Sequence, residues 1–179
     1  NPFGFMRFYP GPGIGGHCIP LDPHYLAWKL KTLNYSARFI ELASEINGHM
    51  PEVVVRRATA ILNDAKKSVK GAKIFVLGVA YKKDTGDTRE SPALDVIRLL
   101  QEQGAIVSFH DPYSNAIRGE DGRIEKGSAL TQRSLKASDL VVIVTDHAVF
   151  DYGMIVRNAR RILDTRNATR DVKGGRGRI

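Results

Sequence analysis

Four short apolar segments that alternate with helical patterns are the strongest constraint on the fold of this chain. The first, KIFVLGVA, is a continuous apolar run bounded by Gly71 and Lys82 and too short for a good isolated helix. Such a run predicts a strand that is buried on both faces. The segments AIVSFHDP, LVVIVTD and RILDTR are predicted as further strands. Strands that alternate with helices indicate parallel βαβ units, so we predict an α/β fold with a doubly wound parallel sheet.

Helix signals before and between these strands divide the chain into regions. Ser91 and Pro92 supply an N-cap and a first helical residue for the helix after the first strand, which Gly104 ends. Residues 22–68 have a helical pattern, in which DPHYLAWKLKTL begins with Asp22 as N-cap and Pro23 at the first helical position. A break at 34–36 and a second helical stretch over 39–46 follow. PEVVVRRATAILNDA then either restarts a helix or continues it beyond a hinge.

Composition narrows the function classes. The net charge is +8, but acidic residues are interleaved with most of the basic ones, so we expect an anionic small-molecule ligand rather than nucleic acid. Arg176 and Arg178 belong to a basic tail, residues 169–179, that we expect to be solvated. The apolar runs are too short to cross a membrane. The chain has one cysteine and no CxxC pair, so we expect a reducing compartment, the cytoplasm, and no structural metal.

Residues after the predicted strands meet at one edge of the sheet, where ligands of such folds bind. They are residues 81–83, 111–112, 145–147 and 164–166. The turn after the first strand, YKKDTGDTRE, lacks GxGxxG, so Lys82, Lys83 and Arg89 are candidates for direct phosphate contacts; the alternative is a solvated charged loop. We interpret His110 as a structural residue at a strand end and leave the role of His147 open.

The segment PGPGIGGHCIP, residues 10–20, contains the only cysteine of the chain. Alternating glycine and proline predict a rigid loop that approaches a ligand closely. Cys18 precedes the predicted helix start by four residues, so the helix dipole would favour its thiolate and make it a candidate nucleophile. A small buried apolar residue is the alternative.

Five separated motifs resemble the nucleotide-sugar 6-dehydrogenases, the UDP-glucose/GDP-mannose dehydrogenase family. They are PGPGIGGHCIPLDP, RFIELASEIN, LGVAYKKDTGDTRESPA, VIVTDH and LDTRNA, and they cover nearly the whole chain in the order of the family. The resemblance implies a catalytic loop over 1–21, a central helical dimerisation region over 22–68 and a Rossmann-like UDP-binding domain over 69–168. GGHCIPLDP resembles the branch that acts on UDP-N-acetylhexosamines, with N-acetylglucosamine expected before N-acetylmannosamine and UDP-glucose as an alternative.

The resemblance also implies a reaction and the residues that carry it. Family enzymes oxidise the C6 alcohol of a UDP-sugar to a carboxylate with NAD, in the biosynthesis of polysaccharides. Cys18 matches the nucleophile that forms a thiohemiacetal and then a thioester, and Asp22 matches a carboxylate that positions water. Arg89 matches an arginine that reaches NAD. The substrate-binding positions are Tyr9, Gly13, Gly15, Gly16, Tyr81, Lys82 and Arg166.

Part of the family pattern is not found in these 179 residues. The dinucleotide-binding domain and the lysine and asparagine that the family places upstream of the cysteine loop have no match. We therefore expect a fragment that cannot oxidise a sugar alone and that forms a homodimer through its central helices. A UDP-sugar-binding module with a structural cysteine, or a dimerisation module without catalysis, is the alternative of a different class.

Overall fold

The computed structural model describes residues 4, 9–119 and 122–175. Six helices and six strands are assigned within these ranges. The helices are α1 (Cys18–Lys31), α2 (Arg38–Gly48), α3 (Met50–Asp64), α4 (Pro92–Glu102), α5 (Gln132–Ala137) and α6 (Tyr152–Asn158). The strands are β1 (Lys73–Leu77), β2 (Ile106–His110), β3 (Ala116–Arg118), β4 (Ile124–Lys126), β5 (Leu140–Ile143) and β6 (Ile162–Asp164).

The main sheet confirms the predicted α/β fold. Its four strands are parallel and lie in the order β2-β1-β5-β6. Alternate side chains of β1 point to opposite faces: Ile74 joins a core with α3 and α4, whereas Phe75 joins a second core with α5 and α6. Both faces are therefore covered by helices, as expected for a doubly wound sheet whose central strands are apolar except for the exposed Lys73 at the start of β1.

The start of α1 differs from the prediction. The helix begins at Cys18 with His17 as N-cap, so Asp22 is an exposed helical residue and is not the N-cap. Gly16, with φ of +93°, lies two residues before the helix. Pro20 falls among the first residues of the helix, whose N–H groups have no helical partner, and Pro23 removes a single backbone bond. Two prolines are therefore tolerated in this helix.

Pro51 restarts the helix, which was one of the two predicted possibilities. α2 ends at Gly48, His49 separates the two helices, and Pro51 is the second residue of α3. α2 buries no residue, whereas α3 buries a row of apolar side chains against α4 and the sheet. No helix of the described ranges is long and apolar enough to span a bilayer.

The antiparallel hairpin of β3 and β4 was not predicted from the sequence. Each strand has three residues, and neither shows the alternation over four or more residues on which a strand prediction rests. Arg176 and Arg178, which belong to the predicted basic tail, lie outside the described residues.

Candidate active site

The carboxyl edge of the main sheet carries the residues that the sequence predicted for a ligand crevice. β1 and β5 are neighbours, but the chain runs from β1 to β2 on one side and from β5 to β6 on the other. This reversal is a topological switch point, the usual ligand position in open α/β sheets. Tyr81, Asp146 and Arg166 follow β1, β5 and β6 at this edge.

Gly78 allows the chain to leave β1 directly beside Thr145. Its φ is +81°, and a Cβ at this position would lie 2.5 Å from Thr145 Cβ and 2.6 Å from the Thr145 carbonyl oxygen. The Thr145 hydroxyl donates a hydrogen bond of 2.7 Å to the Ala80 carbonyl. The two strand ends at the switch point are therefore in close contact, which holds the segment before Tyr81.

Two glycines of the loop before α1 lie against Tyr81. A Cβ on Gly16 would come within 2.9 Å of Tyr81 Cε2. A Cβ on Gly15 would come within 2.8 Å of Tyr81 Cβ and would also overlap the Glu90 carbonyl oxygen. Residues without a side chain are needed for this close approach. The structure thus brings the predicted positions Gly15, Gly16 and Tyr81 together.

The same loop contacts the α/β unit at two further glycines. Gly11 lies so close to the Arg166 guanidinium that a Cβ there would overlap it, and a Cβ on Gly13 would lie 2.8 Å from Pro92 Cβ. Arg166 Nε donates to Asp146 Oδ1 at 3.2 Å. The Arg166 amide donates to Asp164 Oδ1 at 3.0 Å, which sets the turn after β6. Arg166 is thereby held between two carboxylates beside the loop.

Cys18 and Asp22 lie one turn apart at the beginning of α1. Both residues are exposed. Residues four apart in a helix share a face, with Cβ atoms about 5–6 Å from each other. The correction to the helix start therefore places the thiol in the first turn and the carboxylate beside it on one surface. A nucleophile and a group that orients water can act on the same ligand atom from such a pair.

Arg89 lies on the turn after β1 and forms a bidentate ion pair with Asp87. Its Nε donates to Asp87 Oδ1 at 2.9 Å and its Nη2 donates to Oδ2 at 2.7 Å. Bonds from the Arg89 side chain and amide hold the pKa of Asp87 well below its usual range, with a smaller contribution from nearby His17. The Arg89 side chain is 67% exposed, so its orientation is set while it stays accessible.

The remaining predicted positions are exposed. Lys82 Nζ lies 5.7 Å from the centre of the Tyr81 ring, within the range of a cation–π contact. Tyr9 precedes the glycine loop with a side chain that projects into solvent. These two residues border the loop and the turn after β1, and within residues 4, 9–119 and 122–175 neither side chain forms a hydrogen bond.

A buried pair, Asp111 and His147, lies directly beneath this edge. Asp111 Oδ2 accepts from the Val79 amide at 2.7 Å, the Ala80 amide at 3.1 Å and His147 Nε2 at 2.9 Å. Burial raises the pKa of Asp111, but the bonds from His147 and from backbone amides outweigh it and lower this pKa to about 2. Asp111 is therefore a buried carboxylate that ties the ends of β1, β2 and β5 together.

Sequence reasoning placed these two residues at the strand ends but did not foresee their pairing. Asp-Pro directly after a strand and the TDH triplet after another were the available signals. The pairing depends on the lateral order of β2, β1 and β5, which a single sequence does not specify. The ion pair of Arg166 with Asp146 was missed for the same reason.

A dinucleotide would need an open glycine turn for its pyrophosphate. Gly11, Gly13 and Gly16 have the GxGxxG spacing of such a turn. However, Arg166 covers Gly11, Pro92 covers Gly13 and Tyr81 covers Gly16. This loop therefore packs on protein and does not cradle a pyrophosphate. Arg89 fits a cofactor contact, because its guanidinium is oriented and accessible.

Comparison with known proteins agrees with this geometry. Residues 75–171 match the UDP binding domain of the UDP-glucose/GDP-mannose dehydrogenase family, and residues 1–49 match the central domain of that family. The chain is 38% identical over 142 residues to a UDP-N-acetyl-D-mannosamine dehydrogenase of Methanococcus maripaludis, covering 79% of the chain and 30% of that relative. It is 29% identical over 170 residues to a UDP-N-acetyl-D-glucosamine 6-dehydrogenase of Pseudomonas aeruginosa, covering 94% of the chain and 39% of that relative.

A solved structure has the same fold. The UDP-D-ManNAc dehydrogenase of Pyrococcus horikoshii superposes with a TM-score of 0.77 and 29% identity, over 99% of this chain and 42% of that one. The chain thus spans less than half the length of these relatives. The motifs predicted this family, and the matched domain covers more than half of the residues. The chain belongs to the UDP-glucose/GDP-mannose dehydrogenase family.

Proposed function

We propose that this chain is the thiol-bearing and UDP-binding part of an NAD-dependent dehydrogenase that oxidises the C6 alcohol of a UDP-N-acetylhexosamine to a carboxylate. One observation carries the proposal: the loop before Cys18 lies against Tyr81 at the switch point of the UDP-binding domain. A nucleotide on the carboxyl edge of the sheet would then have its sugar beside the thiol. N-acetylglucosamine is our first expectation for the sugar and N-acetylmannosamine the second; relatives named for each match the chain.

The proposed nucleotide contacts follow from charge and shape. Arg166 and Lys82 present cations at the switch point, and the Tyr81 ring offers an aromatic surface between them and the glycine loop. The loop that Gly13, Gly15 and Gly16 shape lies beside the expected position of the sugar, and Tyr9 borders the same loop. Cations and an aromatic face suit a diphosphate joined to a uracil base.

The proposed chemistry uses Cys18 and Asp22. NAD, when bound, would accept one hydride in each of the two oxidation steps from alcohol to acid, with a fresh NAD molecule for each step, and Arg89 is our candidate contact to it. The Cys18 sulfur adds to the C6 aldehyde and forms a thiohemiacetal. After oxidation of this adduct the sulfur holds a thioester, and water displaces the thiolate to leave the carboxylate. Asp22, on the same helical face, orients that water.

Two measurements on the purified chain test the proposal. We expect UDP to bind with a dissociation constant that rises at least tenfold in Arg166→Ala, because a charge-assisted contact is lost. We also expect iodoacetamide to modify Cys18 and UDP-N-acetylglucosamine to slow this reaction, with Cys18→Ser as the blank. Binding of UDP without protection of the thiol would instead support a UDP-sugar-binding module. Absence of UDP binding would refute both.

We further propose that the central helices form a homodimer. Phe39 of α2 and Tyr25 and Trp28 of α1 are largely exposed, and Leu42 and Ile46 of α2 are about half exposed. A cluster of exposed apolar side chains on neighbouring helices is typical of a surface that a partner covers.

A further inference from the structure

His147 is a fully buried histidine for which the proposed chemistry has no role. Its exposed fraction is 0%, and it lies under the carboxyl edge of the sheet. Its ring contacts Tyr113 at 5.2 Å and Phe150 at 5.4 Å between centroids. Burying a polar side chain lowers the free energy of unfolding unless its hydrogen-bonding atoms have partners. The partners of its two nitrogens therefore indicate what the residue does.

The two ring nitrogens have opposite roles. The backbone amide of Asp84 donates to His147 Nδ1 at 2.9 Å, so Nδ1 carries no proton. Nε2 lies 2.9 Å from Asp111 Oδ2 and must be the protonated nitrogen that donates to this carboxylate. The neutral ring with its proton on Nε2 is the form that satisfies both bonds.

The bond to Asp84 closes a turn that carries two of the proposed nucleotide contacts. Asp84 has φ of +58°, which costs energy in a residue other than glycine and persists only where neighbours hold it. Asp84 Oδ1 accepts from the Ala148 amide at 2.8 Å, so Asp84 and residues 147–148 exchange two hydrogen bonds. The other end of the turn is held where the Val79 and Ala80 amides donate to Asp111.

We propose that His147 is a positioning residue that fixes the segment 81–84 by accepting the hydrogen bond of the Asp84 amide, while its bond to Asp111 holds the ring in place. Tyr81 and Lys82 lie between the two anchors, one anchor at Asp111 and the other at Asp84, and His147 binds both anchors. The ring thus sets where the aromatic face and the cation stand relative to the glycine loop. The consequence for UDP affinity rests on the function proposed above, whereas the consequence for the segment itself does not.

Two substitutions separate the two nitrogens. His147→Gln places an amide donor near the Nε2 position, so the bond to Asp111 is kept and the acceptor for the Asp84 amide is lost. His147→Asn places an amide oxygen near the Nδ1 position, so the acceptor is kept and the donor to Asp111 is lost. Both variants are compared with the unchanged chain by amide hydrogen exchange, UDP titration and thermal unfolding.

The proposal predicts that the two variants differ in the exchange of the Asp84 amide and in UDP affinity. In His147→Gln we expect the Asp84 amide to exchange at least tenfold faster and the UDP dissociation constant to rise about tenfold. In His147→Asn we expect the Asp84 amide to stay protected and UDP affinity to change less than twofold, although the melting temperature falls. Equal losses in both variants would mean that His147 only stabilises the core and would overturn the proposal. If the unchanged chain does not bind UDP, the nucleotide site is wrong and the exchange rates alone decide the role of His147.

A second pair of substitutions, at Asp84, tests the same turn if the variants of the buried His147 do not fold. Asp84 is partly exposed, and Asp84→Ala removes the acceptor of the Ala148 amide, whereas Asp84→Asn keeps an oxygen there and tolerates positive φ. We expect faster exchange over 81–84 in Asp84→Ala and unchanged exchange in Asp84→Asn. The 15N spectrum of the His147 ring must show the proton on Nε2. A proton on Nδ1, or equal exchange in the two Asp84 variants, would overturn the proposal.

Discussion

At the scale of single residues, Asp111 carries the largest share of the contacts under the candidate site. Its two oxygens accept from Val79, Ala80, Tyr113, Ser114 and His147. Most of these donors are backbone amides, which cannot rearrange when the carboxylate is removed. The free energy of unfolding should therefore depend strongly on its charge.

Acid unfolding tests Asp111. Its pKa is about 2 in the folded chain against an ordinary value of 3.8, so the folded state favours the charged form. The resulting stability, about 2 kcal/mol, is fully present above pH 4 and is lost as the pH falls from about 4 toward 2. Urea unfolding at a series of pH values measures this slope. In Asp111→Asn we expect this part of the slope to vanish; an unchanged slope would contradict the role of Asp111.

Gly78 allows a second test at the residue scale. Gly78→Ala would place a Cβ against the backbone and side chain of Thr145, and we expect a loss of about 3 kcal/mol or more in the free energy of unfolding. Gly71→Ala is the matched control, because Gly71 has the same φ of +81° but no atom within 4 Å of the added Cβ. Strain alone should cost about 1 kcal/mol there. Equal losses in chemical denaturation would refute the contact with Thr145.

At the scale of elements, the adjacent helices α2 and α3 differ in how far their apolar side chains are buried. Val54, Val55 and Ala58 of α3 are buried with the sheet and α4. The apolar side chains of α2 remain largely exposed. Both helices have apolar side chains at helical spacing, but those of α3 form part of the core, whereas those of α2 form an exposed surface.

Matched leucine truncations test this division. Leu62 of α3 is fully buried, and Leu62→Ala should lower the free energy of unfolding by 2–5 kcal/mol through a cavity in the core. Leu42 of α2 is half exposed, and we expect Leu42→Ala to cost less than about 1 kcal/mol in the monomer. Equilibrium urea unfolding at low protein concentration measures both. Similar losses would mean that α2 is part of the same core.

The helix ends also show what local sequence can predict. Ser91 caps α4 as expected, because its side chain and Pro92 act within one turn of the backbone. The same reasoning placed the start of α1 at Asp22, yet the helix begins at Cys18 without a side-chain cap. The glycine loop docks on Tyr81, and this tertiary contact sets where the backbone enters the helix.

At the scale of the whole molecule, the exposed apolar surface of α1 and α2 predicts self-association. Phe39 is 89% exposed, and Phe39→Asp would place a charge in the proposed interface. We expect the chain to sediment as a dimer at micromolar concentration and Phe39→Asp to sediment as a monomer with an unchanged melting temperature at low concentration. Ile124→Asp, on the hairpin, is the control and should leave the dimer intact. A monomer in the unchanged chain would refute this interface.

Local patterns by themselves determined the class of the fold, the four strands of its main sheet, most of its helices and its family. Apolar runs, caps and motifs act over a few residues, so they can be recognised in the printed sequence. The tertiary structure decided which residues meet: the glycine loop with Tyr81, Arg166 with Asp146, and Asp111 with His147. These contacts join residues between 20 and 66 positions apart, and they depend on the lateral order of the strands and on close backbone approach. That order follows from the packing of the whole chain, which no local pattern encodes.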